Sequence, residues 1–501
     1  MNRRDFAKGL ASGTVAPFLR AATQGGGIRI GSRRELFIDD YLVERFTGGA
    51  QLRLHHPERR EIAIVHDAPW EGCGTGYHTV FQDGGRYRMY YKAWAHDFDK
   101  GAAHPLVIAY AESRDGIHWE KPNLGLVAFK GSKKNNIILD NTHGNYAHDF
   151  SPFVDRNPAV SAGARYKAVG YAKPHGLYAL KSADGIEWRL MSDQPVITEG
   201  KFDTQNIAFW DGLIGKYRVY IRDFQEGRRD IKTAVSDDFL HWTTPEWLTY
   251  CGAPQEQLYT NQIRPYDRAP HLYIGFPARY VDRGWTEYTK LLPEYGLRQE
   301  RAKASTRFGT AVTDSLLMTS RDGRQFHRWD EAFLRPGLRT RFNWAYGDNY
   351  IAWHLVETQS TFDDEARELS LYATESYFTG AESRLRRYAL RIDGFASAFA
   401  PLSGGELLSK PLVYDGSNLL LNYSTSAGGS LRVELQDAGG KTLPGCALSD
   451  CPAIFGDAID QQVLWNTRPD LRRWAGVPVR LRVELRDGDL YAFRFGDAQS
   501  S

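Results

Sequence analysis

Short stretches of alternating apolar and polar residues recur through most of the chain, separated by turns rich in glycine, aspartate and proline. Such alternation is typical of β-strands with one buried face. Four stretches share a similar texture: RYRMYYKAW, RYKAVGYA, KYRVYIRDF and HLYIGFPARY. Each follows an apolar segment that ends in a turn, and each precedes a further strand-like run such as PLVIAYAE or HGLYALK. The pattern predicts a repeated antiparallel unit.

A seven-residue motif, which we call the boxed turn, follows the third strand-like run of these units. Its four copies are SRDGIHW at 113–119, SADGIEW at 182–188, SDDFLHW at 236–242 and SRDGRQF at 320–326. The serine hydroxyl and the aspartate can bond to backbone amides of a tight turn, glycine permits a left-handed conformation, and the aromatic residue packs inward. We interpret the motif as a turn stabiliser between the third and fourth strands.

Each unit therefore reads as a four-stranded antiparallel blade, and such blades are stable only when they are stacked around an axis. A fifth, more diverged unit consists of NYIAWHLVETQ, RELSLYATESY and RLRRYALRID, and it lacks the boxed turn. We predict an all-β fold with a five-bladed β-propeller at residues 55–394. The largest insertion, at 286–305 in the fourth unit, is expected to hold the sizeable helical excursion.

The two ends of the chain have a different character. Residues 395–501 contain short alternating strands with Gly-Asp turns, which predict a C-terminal β-sandwich. Residues 1–24 resemble a twin-arginine export signal with Arg3 and Arg4, followed by a lead-in segment at 25–54. We expect a periplasmic or secreted protein. The apolar part of the signal is too short to span a bilayer, so no membrane insertion is expected.

The amino-acid composition limits which kinds of binding partner are expected. The 501 residues contain 63 Lys and Arg against 61 Asp and Glu, and a net charge of +2 gives no reason to expect nucleic acid as a partner. Aromatic residues make up 13% of the chain, which suits a site that stacks on ring-shaped ligands. The four cysteines form no C-x-x-C pairs, so zinc is not expected. Cys446 and Cys451 are either a disulfide or two free thiols.

A five-bladed propeller with S-x-D turns followed by a β-sandwich resembles the glycoside hydrolases of families 32, 43 and 68. The resemblance covers most of the chain at the level of architecture. It implies a carbohydrate substrate, cleavage of a glycosidic bond, and carboxylates on the first strands of the blades that point into an axial pocket.

The resemblance assigns three catalytic candidates. Asp149 in HDFSPFVDRNP takes the place of the axial aspartate that orients the sugar and tunes the acid. Asp203 in FDTQNIAFWDG takes the place of the proton donor, although the family usually has glutamate there. The aspartate signature of blade one is absent, and Glu71 is the candidate there for nucleophile or general base. Chemically, cleavage needs one acid and one carboxylate, and crowding of carboxylates raises some pKa values.

Further residues could bind sugar hydroxyls or rings, although local packing or ion pairing accounts for each of them equally well. The charged run RDFQEGRRDIK at 222–232 is interpreted as a hairpin between blades whose Arg222 and Asp223 can reach the pocket edge. The substrate-binding candidates are Trp70, His148, Asn261, Arg279 and Asp348.

We therefore expect an exported, monomeric glycoside hydrolase that acts on an oligo- or polysaccharide. A non-catalytic carbohydrate-binding propeller is the alternative, because the residues of blades one and three depart from the family. A sialidase-like propeller would need six blades, three converging arginines and a tyrosine nucleophile, and five units disfavour it. No cofactor or metal is expected; a structural Ca²⁺ in the axial channel remains an option without a ligand signature.

Overall fold

The computed structural model describes residues 26–97, 101–140, 148–341, 343–360 and 366–497. Arg3 and Arg4 of the expected export signal lie outside these residues. Five separate sheets follow one another along the chain and form the blades, which confirms the all-β, five-bladed arrangement. In blade order, their first three strands are Gly76–Asp83, Arg86–Ala93 and Val107–Ser113; Ser151–Val154, Tyr166–Ala172 and Gly176–Ser182; Ile207–Asp211, Lys216–Gln225 and Arg228–Ser236; Arg264–Tyr266, Ala269–Gly275 and Met318–Ser320; Val356–Gln359, Arg367–Glu375 and Arg384–Leu390.

The fourth, outer strands show how the ring closes. In blades one to four they are Ile137–Leu139, Arg189–Leu190, Glu246–Trp247 and Gln325–Arg328, and Thr249–Cys251 adds a parallel fifth strand to blade four. In blade five the outer strand is Glu58–Val65, which precedes blade one in sequence and pairs with Arg384–Leu390. The two ends of the propeller are therefore held together by strand pairing within one blade.

The boxed turns lie between the third and fourth strands, where the motif predicted them. In the first copy Ser113 Oγ accepts a hydrogen bond from the Gly116 amide at 2.9 Å, and Asp115 Oδ1 accepts one from the Ile117 amide at 2.8 Å. Trp119 donates its indole N–H to the Gly116 carbonyl at 3.2 Å. The serine and aspartate bonds recur in the other three copies. The motif is a structural staple on four blades.

Each boxed turn also packs against the preceding blade. Gly185 of blade two has φ +81°, and a Cβ there would lie 2.7 Å from Tyr90 Oη of blade one. Gly323 of blade four has φ +73°, and a Cβ there would lie 2.8 Å from Tyr220 Oη of blade three. Glycine is therefore needed at both places for two reasons, the left-handed backbone and the tyrosine that fills the space where a side chain would go.

At the third boxed turn the large and small residues of this interface are exchanged: the turn carries the large side chain and the preceding blade carries the small one. Phe239 replaces the glycine, keeps a left-handed backbone at φ +71°, and is fully buried. In the second strand of each blade, we compare the residue three positions after the one that pairs with the boxed serine. This residue is Tyr90 in blade one and Tyr220 in blade three, but Val169 in blade two. The aromatic ring that blade two lacks is thus supplied by blade three.

The insertion in blade four is helical, as predicted, and it sits on a small two-stranded ribbon. The ribbon pairs Ala278–Asp282 with Ala311–Ser315. A second ribbon, in blade one, pairs His96–Asp97 with Gly101–Ala102. The three helices of the insertion are Glu287–Lys290, Tyr295–Ala304 and Thr306–Thr310.

The C-terminal module is one hydrogen-bonded sheet of ten strands, and strands from residues 28–54 belong to it. Two long strands, Asn418–Asp437 and Val479–Gly496, pair over two stretches separated by a register shift, and both stretches contribute to one apolar core. The division into two facing sheets and the domain boundaries remain predictions. The other strands are Ile28–Gly31, Glu35–Leu36, Val43–Gly48, Gln51–Leu54, Ala396–Ala400, Gly405–Ser409, Leu412–Tyr414 and Asp457–Gln462.

Two observations complete the description. Cys446 and Cys451 are buried free thiols in this structure, which is the second of the two alternatives left open by the sequence. Within the residues that the structure describes, every helix is too short or too polar to cross a lipid bilayer.

Candidate functional site

A buried hydrogen-bonded network ties the inner strands together across the propeller axis. Gln205, just before the inner strand of blade three, donates to Thr79 Oγ1 of blade one at 3.0 Å. Gln262 of blade four donates to Gln205 Oε1 at 2.6 Å, and the indole of Trp353 donates to the Ile263 carbonyl at 3.2 Å. We call this network of Gln205, Thr79, Gln262 and Trp353 the plug. It separates the residues at the beginning of the inner strands from those at their ends.

Three polar side chains meet where the inner strands of blades two and three begin. His148 Nδ1 and Asp149 Oδ2 are 2.5 Å apart, and His148 Nε2 lies 3.6 Å from Asp203 Oδ1. The three differ in exposure: the side chain of Asp149 is fully buried, His148 is 25% exposed and Asp203 is 62% exposed. The imidazole therefore connects a buried carboxyl group to one that faces solvent.

The environment of this cluster favours a retained proton. Burial raises the pKa of Asp149, and the neighbouring His148 opposes that shift only in part. Burial lowers the pKa of His148, but the Asp149 carboxylate more than compensates, so that the pKa of the imidazole is raised. The second oxygen of Asp149, Oδ1, is buried without a hydrogen-bond partner. A proton shared between Asp149 and His148 lowers the cost of burying this carboxyl group.

A buried lysine supplies positive charge close to the cluster. Lys92, at the end of the second strand of blade one, lies with its Nζ 4.3 Å from the centre of the Tyr77 ring and 5.3 Å from that of Trp94. Burial lowers its pKa, while Asp149 and Asp203 pull in the opposite direction. The charges of Lys92 and the two aspartates therefore stabilise each other electrostatically.

The donor atoms of His148, Asp149 and Asp203 lie within 4.8 Å of one another. This spacing is short enough for the three groups to share a cation, and oxygen and imidazole donors suit several divalent ions. Lys92 already places one positive charge beside them, which opposes the binding of a second.

A cavity of about 330 Å³ opens beside Asp203. Asp203 is the only acid among its lining residues in the part of the chain that the structure describes, and basic and aromatic side chains make up the rest. They are Tyr171, His175, Lys201, Phe202, Arg222, Phe224, Arg229, Tyr259 and Arg307.

A larger cavity, of about 950 Å³, lies at the opposite end of the inner strands. Its acids are already ion-paired: Asp267 with Arg264 at 2.8 Å, and Glu357 with Arg367 at 3.4 Å. Because the clustered proton-holding groups are at the other end of the plug, the smaller cavity is the candidate site.

The structure holds two of the predicted site residues within blade one. Glu71 is buried and accepts hydrogen bonds from Lys121 Nζ at 2.6 Å, Tyr91 Oη at 2.7 Å and the Ala68 amide at 3.0 Å. Trp70 donates to Asn136 Oδ1 at 2.8 Å. Neither residue lines the cavity beside Asp203. Both residues have local partners in blade one, and the structure does not place Glu71, the expected nucleophile or general base, in the cluster of His148, Asp149 and Asp203.

The remaining predicted residues also have local partners. Asp348 accepts hydrogen bonds from the Ala345 and Tyr377 amides, and burial raises its pKa to about 8. Arg279 forms ion pairs with Asp314 and Glu256. Asn261 is buried, with its carbonyl bound by the Phe276 amide. Of the predicted set, the structure brings together His148, Asp149 and Asp203.

Several site residues were missed by the sequence reasoning. Lys92 lies in the mostly apolar run RMYYKAW. A lone lysine at an inward position of such a strand is the sequence signal that could have indicated a site residue. Tyr259 and Arg307 lie in or beside the fourth unit and its insertion, where the repeat gives no guide. Arg222 was expected near the pocket edge and does line the cavity.

Comparisons with known proteins describe a distant likeness. No protein-family model matches the chain. The uncharacterized protein Rv1502 of Mycobacterium tuberculosis is 32% identical over 144 residues, which are 26% of this chain. The chain spans 40% of the length of that curated relative, and the same holds for the uncharacterized protein MT1551 of another strain.

Solved structures resemble a larger part of the chain. A glycosyl hydrolase from Bacteroides ovatus is 13% identical, with a TM-score of 0.43, and covers 70% of this chain and 97% of its own. An N-acetylgalactosamine deacetylase from F. plautii has a TM-score of 0.41 at 12% identity, covering 70% and 96%. A fructofuranosidase from Schwanniomyces occidentalis has 0.37 at 13%, covering 87% and 98%. All three likenesses are distant in sequence and approximate in structure.

Proposed function

We propose that this protein is an exported glycoside hydrolase in which Asp203 faces the scissile bond and the His148–Asp149 pair supplies the proton. The observation that carries the proposal is the line of three groups from buried Asp149, through His148, to exposed Asp203. Cleavage of a glycosidic bond needs a group that holds a proton near neutral pH and delivers it to the leaving oxygen.

The three residues have different roles in this proposal. Asp149 is fully buried and cannot touch a sugar, so it is a positioning residue that orients His148 and favours its protonated form. His148 Nε2 faces Asp203 and passes its proton to that carboxylate when the two move from 3.6 Å to hydrogen-bond distance. Asp203 then donates the proton to the glycosidic oxygen as the carbon–oxygen bond breaks.

Water is the attacking group in this proposal. Among the described residues that line the cavity Asp203 is the only acid, and Glu71 is engaged by Lys121 and Tyr91. Water adds its oxygen to the anomeric carbon, its proton returns to the Asp203–His148 pair, and the site regains its starting state. Tyr171, which lines the same cavity as Asp203, offers an aromatic ring on which a sugar can stack.

The test compares substitutions at Asp203 and Asp149 with a matched aspartate. Asp203→Asn should lower kcat on a cleaved glycoside by at least a factor of about 100, the contribution typical of a general acid, with little change in sugar binding. Asp149→Asn should lower kcat and shift the pH–rate profile, because it acts through His148. Asp237→Asn, on an exposed boxed turn, is the control.

Two results would contradict the assignment. If Asp203→Asn keeps full activity, the proton donor lies elsewhere. If the wild type binds oligosaccharides but cleaves none across a broad panel of glycosides, the non-catalytic carbohydrate-binding propeller takes the place of the enzyme.

A further inference from the structure

Three arginines line the cavity beside Asp203, which is the one acid among the described residues of that lining. Within the residues that the structure describes, Arg222, Arg229 and Arg307 have no ion pair, and the side-chain partner of Arg229 is the neutral Gln257, at 2.6 Å. Several buried arginines elsewhere are ion-paired, including Arg218 with Asp211 at 2.8 Å, Arg328 with Glu256 at 2.8 Å, and Arg387 with Glu61 and Glu368. The buried Arg298 and Arg301 of the insertion donate to backbone carbonyls instead.

Aromatic rings hold these guanidinium groups in place. Arg222 and Arg229 lie over the same ring, that of Tyr259, with Cζ 4.9 Å and 5.2 Å from its centre. Arg229 also lies 4.4 Å from the centre of the Tyr280 ring, and Arg307 lies 5.2 Å from that of Tyr346. Tyr346 Oη and Tyr259 Oη are 2.6 Å apart. Rings can orient cations, but they do not neutralise them.

The burial of these guanidinium groups is energetically costly. Arg222 is only 4% exposed, and the Nε of Arg229 and one terminal nitrogen of Arg307 are buried without hydrogen-bond partners. Like charges at this spacing repel each other, and buried charged donors without an acceptor are unfavourable. Lys201 adds a further positive charge to the lining, so Asp203 alone cannot balance the cavity.

We propose that this cavity selects an anionic sugar, one that carries a carboxylate or a sulfate group, and places that anion against Arg222, Arg229 and Arg307. Guanidinium groups offer paired N–H donors that match the two oxygens of a carboxylate or sulfate. Asp203 lines the same cavity, so an anion held there brings the rest of the sugar to the reacting groups. This inference rests on the proposed function for the cleavage itself, but not for the binding.

The experiment uses pairs of aryl glycosides that differ in a single group. Each 4-nitrophenyl uronide is compared with the neutral glycoside that has CH₂OH in place of the carboxylate, and each 6-sulfated glycoside with its unsulfated form. The wild type should favour the anionic member of at least one pair. Preference for the uronide or for the sulfated glycoside identifies which of the two anions is the natural one.

Substitutions then test the arginines. Arg222→Gln and Arg229→Gln should each lower kcat/KM for the preferred anionic glycoside by roughly 10- to 150-fold, the range typical of a hydrogen bond to a charged group, and move the anionic-to-neutral ratio towards one. Arg228→Gln is the matched control, since Arg228 is adjacent in sequence but pairs with the exposed Glu226. Arg222→Lys keeps the charge and should lose less than Arg222→Gln, which separates recognition from folding.

Binding to the Asp203→Asn variant distinguishes this inference from the proposed function. Calorimetric titration with glucuronate, galacturonate and a 6-sulfated monosaccharide measures recognition without cleavage. If acidic sugars bind and no glycoside is cleaved by the wild type, the hydrolase proposal fails and the anionic site stands. Equal binding of neutral and acidic sugars, or an anionic-to-neutral ratio unchanged in both glutamine variants, would overturn the anionic site.

Discussion

The contact between each boxed turn and the preceding blade makes a quantitative prediction at Gly185. A methyl group added there meets two separate costs. The left-handed backbone at φ +81° costs about 1–2 kcal/mol for a residue with a Cβ. The Cβ would also lie 2.7 Å from Tyr90 Oη, and overpacking of this kind costs about 1–3 kcal/mol. Gly185→Ala should therefore lower the free energy of unfolding by about 2–5 kcal/mol.

Two further variants separate these costs. Gly131 has φ +83° with nothing within 4 Å of its Cβ position, so Gly131→Ala should lose only the backbone part, about 1–2 kcal/mol. In a Tyr90→Val background the ring is gone, as it is naturally at Val169, and the end of the flexible Arg88 side chain, at 3.0 Å, is the nearest remaining neighbour. Gly185→Ala should then cost little more than Gly131→Ala. The double-mutant cycle should thus give a coupling of about 1–3 kcal/mol between residues 90 and 185.

The assay is equilibrium unfolding in urea followed by tryptophan fluorescence, with the four proteins of the cycle measured side by side. Phe239→Gly is the converse test: it relieves the backbone but leaves a cavity worth about 3–5 kcal/mol, for a net loss of about 1–4 kcal/mol. Equal losses for Gly131→Ala and Gly185→Ala, or a coupling near zero between residues 90 and 185, would refute the size-matching explanation.

Three other predictions follow from single residues. Glu71→Gln should cost about 1.5–3 kcal/mol, because it removes the nearer of the two carboxylates that pair with Lys121 and leaves Asp67 at 3.1 Å. The kcat/KM of the folded variant should stay unchanged, and a selective loss of kcat in a stable variant would restore Glu71 to the catalytic set. The pKa of Asp348 is raised to about 8, so the folded state binds one more proton than the unfolded state above the ordinary pKa of 3.8. Stability should therefore fall as the pH rises through that window, by up to about 1.4 kcal/mol per pH unit, and denaturation midpoints of Asp348→Asn measured from pH 4 to 8 should show a flatter slope. Replacement of Arg3 and Arg4 by lysine should leave the protein in the cytoplasm with its N-terminus uncut, and normal export of that variant in cell fractionation would argue against the twin-arginine signal.

Most of the propeller could be predicted from the sequence, because the contacts that define each repeat are local. The hydrogen bonds of a boxed turn join residues at most three positions apart, so the turn at Ser113 and Asp115 can be predicted from the local sequence alone. The closing strand Glu58–Val65 has no such signature, since its partner is remote in sequence. For the same reason the strands of residues 28–54 were read as a lead-in, and their pairing with the C-terminal sheet came only from the structure.

The candidate site was predictable where a residue's neighbours in sequence are also its neighbours in space. His148 and Asp149 are adjacent, and Asp203 precedes the next inner strand, so the repeat itself brings them together. Glu71 was misplaced because its position relative to the inner strand of blade one depends on the loop before Gly76. The arginine cavity depends on Arg307, in the last helix of an insertion, and no repeat specifies where an insertion folds back.

The closing strand also sets how early in synthesis the propeller ring can form. Val65 pairs with Arg384, so roughly 320 residues must leave the ribosome after the strand appears, about 15–65 s at ordinary rates of synthesis. Throughout that interval Glu58–Val65 is an unpaired strand with a free edge, the kind of segment that invites pairing with other chains. The ring therefore cannot close before the strand Arg384–Leu390 has been synthesised, and the edge of Glu58–Val65 stays open to other partners until blade five is complete.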